Sequence, residues 1–449
     1  MGRLFGTDGI RGIANRDLNG ELAFRLGRAA VIALTEQGET RPEILLGRDT
    51  RASGEFLEAA LAAGICSAGG DAVLLGISTT PAVAFLTGDL GAQAGAVISA
   101  SHNPAEYNGI KFFAATGYKL PDEIELEIEA ILADDRGPRP TGRGLGRVTT
   151  RRADAGDRYI HHLESTAEVS LRGMRVVVDC ANGAASGVAP ELLRRLEAEV
   201  VAINDQPDGW NINEGAGATS PDVVALAVPE IEADAGVAHD GDADRALFAD
   251  HLGRVIDGDQ VLAACALDLK GRGELAAGSV VTTVMANLGF RLCMRDAGIR
   301  VLETRVGDRY VLEEMLRSGA VLGGEQSGHV IFLRRATTGD GLLTAVQFLG
   351  LARRRGQSVA ELASCMERFP QVLENITVTN REELEGATAV WEAVEAAERA
   401  LGERGRVLVR ASGTESLVRV MVEAGTQDEA RSHAEAISAA VRVALAVPG

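Results

Sequence analysis

Gly95-Ala96-Val97-Ile98-Ser99-Ala100-Ser101-His102-Asn103-Pro104 is an apolar run that breaks into polar residues and a proline. The spacing predicts a buried strand over 95–99. Ser101 then lies just past its C-terminal end, where open α/β sheets place ligands. Comparable runs at 43–47 and 72–76 alternate with helical patterns, which argues for α/β architecture with largely parallel sheets. Ser53 is expected to cap a helix over 55–68, and Thr80 to cap another that Pro81 opens.

The same order recurs along the chain. Strands are expected at 175–179, 200–204 and 236–239, with helices near 188–197 and 221–227. A third unit begins near Asp257, with strands at 279–283 and 300–304 and helices near 258–269, 287–297 and 307–317. From about Phe369 the order is strand, helix, two strands, helix. The stretch 134–150 is rich in Gly, Pro and Arg and reads as a linker at a domain edge. Four domains are therefore expected, at 1–152, 153–255, 256–368 and 369–449. The first three are similar α/β units with mixed, largely parallel sheets, and the last is a smaller α+β domain. No fixed-period residue repeat accompanies them.

Composition narrows the function. At 449 residues, with 46% apolar and 24% charged residues, the chain has the make-up of a soluble multidomain protein. A net charge of −19 and only 4% aromatics oppose nucleic-acid binding, which needs a basic footprint and stacking surfaces. The five cysteines are widely spaced and mostly in apolar surroundings, as reduced core residues of a cytoplasmic protein would be, and no Cys-x-x-Cys pair suggests zinc. The N-terminus has no apolar signal region and no run of about 18 apolar residues occurs, so neither export nor a membrane span is expected.

About 140 residues after Ser101, His239-Asp240-Gly241-Asp242-Ala243-Asp244-Arg245 follows an apolar strand. Three carboxylates at alternate positions can turn oxygens to one point, the environment a hard cation such as Mg²⁺ prefers; alone, the run is equally a polar turn. An EF-hand needs Gly at the sixth place and Glu at the twelfth, where Arg245 and His251 stand. Ser101 lacks the glycines of a hydrolase elbow. His102 adjoins it, but neighbours in extended chain point to opposite sides. Asn108-Gly109-Ile110-Lys111 and Gly6-Thr7-Asp8-Gly9-Ile10-Arg11-Gly12 add cations; Lys111 is a solvated lysine or, beside a nucleophile, a proton donor or phosphate contact. Arg245 is a salt-bridge partner of the aspartates or a ligand contact.

Two further loops carry unusual composition. Gly323-Gly324-Glu325-Gln326-Ser327-Gly328-His329 brackets polar side chains with glycines, as a tight turn or a sugar-binding loop would. Arg410-Ala411-Ser412-Gly413-Thr414-Glu415-Ser416-Leu417-Val418-Arg419 is a hairpin turn or a phosphate cradle, since guanidinium groups and amides around glycine both bind phosphate.

The order of these loops resembles the α-D-phosphohexomutase superfamily, on Phe5–Gly12, 98–111, 239–245, 306–310, 324–329, 337–341 and 410–419. Within it, the bacterial branch acting on glucosamine phosphates is most similar. The resemblance implies four domains around a central cleft lined by one loop from each. It implies that Ser101 carries a phosphoryl group, with Lys111, His102 and Arg11 beside it, and that Ser101, Asp240, Asp242 and Asp244 hold Mg²⁺. It assigns Arg245, Glu325, Ser327, His329, Arg410, Ser412, Gly413, Thr414 and Arg419 to a phosphosugar substrate. Ala411 and Ser416 replace two prolines of the family pattern, which touches the stiffness of that loop.

The implied reaction interconverts glucosamine 6-phosphate and glucosamine 1-phosphate through glucosamine 1,6-bisphosphate, on the route to UDP-N-acetylglucosamine and peptidoglycan precursors. Glucose- or glucosamine-1,6-bisphosphate is the expected activator, and the molecule a monomer or homodimer. Two alternatives stay open: the same chemistry on mannose or glucose phosphates, and a non-catalytic phosphosugar-binding regulator.

Overall fold

Four sheets account for the strands in the computed structural model, which describes residues 4–445 apart from 7, 37, 39, 135 and 413–415. By internal contacts the chain forms two compact units, Met1–Met285 with Ile299–Cys365, and Ala286–Gly298 with Met366–Gly449.

The first unit holds three sheets. Strands β1 (Ile10–Ile13), β2 (Glu43–Arg48), β3 (Asp71–Ile77), β4 (Ala94–Ile98), β5 (Tyr107–Ala114) and β6 (Val148–Thr150) stand in the order β1-β5-β4-β2-β3-β6. β2, β3, β4 and β6 are parallel, whereas β5 and β1 are antiparallel to their neighbours. Helices on both faces bury Leu45 and Val97 on one side and Leu46, Ala96 and Ile98 on the other, which is why these strands read as continuous apolar runs.

The second sheet has β7 (Arg175–Asp179), β8 (Glu199–Ile203), β9 (Ala235–His239), β10 (Ala246–Asp250) and β11 (Val255–Ile256), ordered β11-β10-β9-β7-β8. The third has β12 (Ser279–Thr283), β13 (Arg300–Thr304), β14 (Leu322–Gly324) and β15 (Val330–Phe332), ordered β13-β12-β14-β15. In each, a parallel core ends in an antiparallel return strand. The expected repeat of architecture is present.

The second unit is a three-stranded antiparallel sheet of β16 (Gln371–Thr377), β17 (Arg406–Ala411) and β18 (Leu417–Glu423), ordered β16-β18-β17. Helices Thr388–Leu401 and Gln427–Leu445 cover one face, burying Val418, Val420 and Val422 against Val390, Ile437 and Val441. Helix Leu288–Asp296 belongs here too. The Asn287 side chain donates to Phe369 O and Glu423 Oε1 and accepts from Phe369 N, while Leu288 N donates to Glu423 Oε2 at 3.0 Å.

Several local expectations need correction. Ser53 lies inside its helix and accepts from Asn108 Nδ2; no side chain caps that terminus. Thr79, not Thr80, caps the Thr80–Asp89 helix, accepting from Ala82 N at 3.2 Å. The stretch 134–150 is more than a linker, because its last residues form β6 beside β3. Asn108–Lys111 is not loop but the start of β5, where buried Ile110, Phe112 and Phe113 flank a buried Lys111.

Candidate active site

In each α/β sheet the last parallel strand enters a polar loop that returns as an antiparallel neighbour: β4 to β5, β9 to β10, β14 to β15. The polar strings of the sequence are these three turns. Their residues meet within the first unit.

Ser101 is buried and has φ +50°, a left-handed conformation uncommon for a residue with a side chain. A buried network holds it there. Ser99 Oγ accepts from Ser101 N at 2.9 Å and donates to Asp49 Oδ2 at 2.6 Å. Arg51, wholly buried, pairs with Asp49 at 2.9 Å and donates to the carbonyls of Ser101, Asn103 and Pro104. Asn213 Nδ2 donates to the Ser101 and Asn103 carbonyls as well. Ser101 Oγ is thereby aimed at Asp240 Oδ2, to which it donates at 2.7 Å. His102 Nδ1 stands 3.4 Å from the same hydroxyl, and burial together with Arg245 and Arg11 lowers its pKa to about 4, leaving the ring neutral near pH 7.

Asp240, Asp242 and Asp244 each offer an oxygen within 4.8 Å of the others, and all three are buried. A Cβ at Gly241 would fall 2.6 Å from Ser101 O, so only glycine lets the two loops approach this closely. Burial, then the neighbouring carboxylates, pushes Asp242 well above the ordinary carboxylate range, and burial with Asp244 raises Asp240. Asp242 Oδ1 and Asp244 Oδ1 are buried with no hydrogen-bond partner. Three buried carboxylates with oxygens this close, two of them carrying an oxygen without a hydrogen-bond partner, fit an oxygen-ligated divalent cation.

Cations surround this cluster. Lys111 Nζ and Arg11 both contact Asp8, a residue the motif reading did not single out. Burial opposes the Lys111 ammonium, yet Asp8, Asp244 and Asp242 outweigh it and raise its pKa, so it stays protonated. Burial likewise opposes ionised Asp8, but Lys111 and Arg11 bring its pKa below the usual range. Arg245 Nε lies 3.8 Å from Asp244 and 4.0 Å from Asp240, so its guanidinium borders the cluster rather than clamping it.

The third turn supplies His329, whose Nδ1 stands 3.5 Å from Asp244 Oδ2 while its Nε2 accepts from Gly339 N. A Cβ at Gly339 would strike that ring at 2.3 Å, which accounts for the glycine in Thr337-Thr338-Gly339-Asp340. Glu325 accepts from Gly307 N at 3.1 Å, and Ser327 is half-buried. A cavity of about 170 Å³ opens beside these groups, lined by Lys111, Lys119, Asp308, His329, Thr337 and Thr338 among others.

In the second unit Arg410 and Arg419 are direct cross-strand partners, and desolvation with Arg419 lowers the Arg410 pKa. Ser412 is buried; its amide donates to Leu417 O and its carbonyl accepts from Arg381. Gly413 and Thr414 lie outside the described residues.

The chain as a whole has close relatives in sequence. Phosphoglucomutase/phosphomannomutase alpha/beta/alpha domains I, II and III match residues 2–138, 157–253 and 257–369, and the C-terminal domain of that group matches 373–440. The phosphoglucosamine mutase of Thermobifida fusca is 54% identical over 449 residues, covering 100% of both chains. That of Pelotomaculum thermopropionicum is 56% identical over 94% of this chain and 95% of its own.

The chain belongs to the phosphoglucosamine mutase family.

Members of this family are isomerases. Among solved structures, a phosphoglucomutase/phosphomannomutase family protein from Burkholderia thailandensis shares the fold at TM-score 0.83 and 24% identity, over 98% of this chain and 97% of that one. The Aspergillus fumigatus N-acetylphosphoglucosamine mutase, determined with GlcNAc-6P and magnesium, shares it at TM-score 0.70 and 19% identity, over 98% and 96% of the two chains. Family membership and the acidic triad together indicate a divalent metal site. No helix among the described residues is long and apolar enough to cross a membrane.

Sequence reasoning missed the groups that hold these residues: Asp49, Arg51 and Ser99 under the serine loop, Asn213 from the second sheet's loops, Asp8, and Thr80. The signal for the first set was an Asp-x-Arg string, Asp49-Thr50-Arg51, directly after the strand next to β4.

Proposed function

We propose that the chain interconverts glucosamine 6-phosphate and glucosamine 1-phosphate by phosphoryl exchange through Ser101. The observation that carries this is the buried Ser101 hydroxyl bonded to Asp240, with protonated Lys111 across the triad. In the forward half-reaction the Oγ–P bond of phosphoserine 101 breaks and a bond from phosphorus to the free sugar oxygen forms, the sugar hydroxyl's proton ending on the departing Ser101 Oγ, giving the 1,6-bisphosphate. In the second half the other phosphoryl group returns to Ser101 Oγ, whose proton already points at Asp240.

Asp240, Asp242, Asp244 and phosphoserine 101 would hold Mg²⁺, which supplies positive charge to phosphoryl oxygens as they pass between two alcohols. Lys111 and Arg11 add fixed positive charge, in surroundings dry enough to make it effective. His102, neutral and next to the nucleophile, is placed to contact the phosphoryl group. Arg245, Glu325, Ser327 and His329 would orient the sugar. Arg410, Ser412, Gly413, Thr414 and Arg419 would grip the phosphate that does not react. Two guanidinium groups set opposite one another favour an anion between them.

A 1,6-bisphosphate of glucose or glucosamine would load Ser101. We read four domains at 1–152, 153–255, 256–368 and 369–449, and a cytoplasmic site of action. Rates on the phosphates of glucosamine, mannose and glucose, with intact mass before and after phosphatase, test the assignment. The glucosamine reading predicts the highest kcat/KM for that sugar and one phosphoryl group on wild type but none on Ser101→Ala. Equal phosphorylation of both, or turnover by the variant, would remove Ser101 from the nucleophile role.

A further inference from the structure

Thr80 is the first residue of the Thr80–Asp89 helix and is wholly buried. Because Thr79 takes the capping role, the Thr80 side chain is released from helix closure and turns outward. Its hydroxyl donates to Asp242 Oδ2 at 2.5 Å, and its backbone N–H, one of those a helix start leaves without an internal acceptor, donates to Asp242 O at 3.0 Å. One residue of the first sheet's helix layer thus grips both the side chain and the main chain of the middle aspartate, 162 positions away.

The consequence lies in the other oxygen. Asp242 Oδ1 is buried without a hydrogen-bond partner, in the cluster with Asp240 and Asp244. A carboxylate turns about its Cβ–Cγ bond. With Oδ2 anchored to Thr80 that rotation is restrained, and Oδ1 is left without a hydrogen-bond partner beside the other two carboxylates. Groups that fix a ligand's orientation from behind typically change metal affinity 10–100-fold when removed.

We propose that Thr80 is a positioning residue for the cation site: it locks the Asp242 carboxylate so that Oδ1 is presented as a ligand before any ion arrives. This rests on the reading of the aspartate triad as a divalent-cation site. Thr80 is wholly buried, and it acts through Asp242.

Thr80→Val keeps the shape and removes the hydroxyl; Thr80→Ser keeps the hydroxyl. Binding of Mn²⁺ to the sugar-free protein, followed by loss of the free-ion electron paramagnetic resonance signal, gives the affinity directly. Thr80→Val is expected to bind Mn²⁺ about 10–100-fold more weakly, with lower kcat at subsaturating metal and an unchanged KM for sugar phosphate. Thr80→Ser should recover most of the affinity. If Val is not tolerated in the interior, Ala at this first helical position makes the same comparison. Wild-type Mn²⁺ affinity in the Val or Ala variant overturns the proposal. Failure of the wild-type protein to bind Mn²⁺ overturns the cation reading beneath it.

Discussion

The hydroxyl of Ser99 accepts the backbone N–H of Ser101 at 2.9 Å, two residues along a loop in which Ser101, the proposed nucleophile, sits at φ +50°. That bond, together with the Asp49–Arg51 pair behind it, holds the backbone in a conformation the chain would otherwise leave. Ser99→Ala should lower kcat by about 10–100-fold, because small misplacements of a reacting group are costly. KM should stay near wild type, since no substrate contact is removed. Steady-state kinetics with intact mass check this: unchanged kcat would show that Ser99 is not needed to hold the loop.

Asp242→Asn should have opposite effects on binding and on stability. Removing one of three crowded carboxylates weakens a divalent site, so turnover should fall severely and recover only in part with added Mg²⁺. In chelator at pH 7, however, the variant should melt higher than wild type, by on the order of 1 kcal/mol or more, because like-charge repulsion in a buried cluster is relieved. Thermal melts with and without metal decide it. A lower chelator melting point for the variant would mean that the aspartates are not in repulsion.

Arg410 and Arg419 face each other across β17 and β18, a pairing that opposes folding when no anion is present. Replacing either with Ala should weaken sugar phosphate binding by about 2–5 kcal/mol, mainly in KM and in both reaction directions. Lys should rescue poorly, as it lacks the two-pronged donor geometry. Wild-type KM in both alanine variants would exclude this face from phosphate binding.

Asp8 and Lys111 set a pH window. The Asp8 pKa is below its ordinary 3.8, so its contribution is present above that value and is lost as pH falls below it. The Lys111 pKa is above its ordinary 10.5, so its contribution is present below that value and is lost as pH rises past it. Lys111→Met should therefore cost about 3–5 kcal/mol between roughly pH 5 and 9, by stranding buried carboxylates. The deficit should shrink as pH falls below 3.8 and they protonate. Urea unfolding at about pH 3 and pH 7 in chelator tests this, and a deficit independent of pH would assign Lys111 to packing alone.

The apolar runs made the strands legible, because strands buried on both faces carry an unbroken apolar signature, as in Val176, Val177 and Val178 of β7. The site's polar strings were legible because they interrupt those runs at strand ends. What stayed hidden was partnership across the chain. Nothing near Thr80 in sequence points to Asp242, and the choice between Thr79 and Thr80 as cap depends on that distant partner. Lys111 was grouped with the polar loop that follows Ser101. The pairing of β5 with both β1 and β4 instead draws it through the middle of the sheet.

Helix Leu288–Asp296 follows β12 in sequence, yet Glu423 and Phe369 hold its first turn. The C-terminal sheet therefore cannot be handled as a detachable cassette. A chain stopped at Cys365 would leave the Asn287 amide and the Leu288 N–H without those acceptors. A fragment carrying only the last strands and helices would leave the wholly buried Glu423 carboxylate with Arg406 but without the Asn287 and Leu288 donors. Exchange of this region between relatives should preserve folding only when residues 286–298 travel with it, so recombination here is constrained by a helix encoded far upstream.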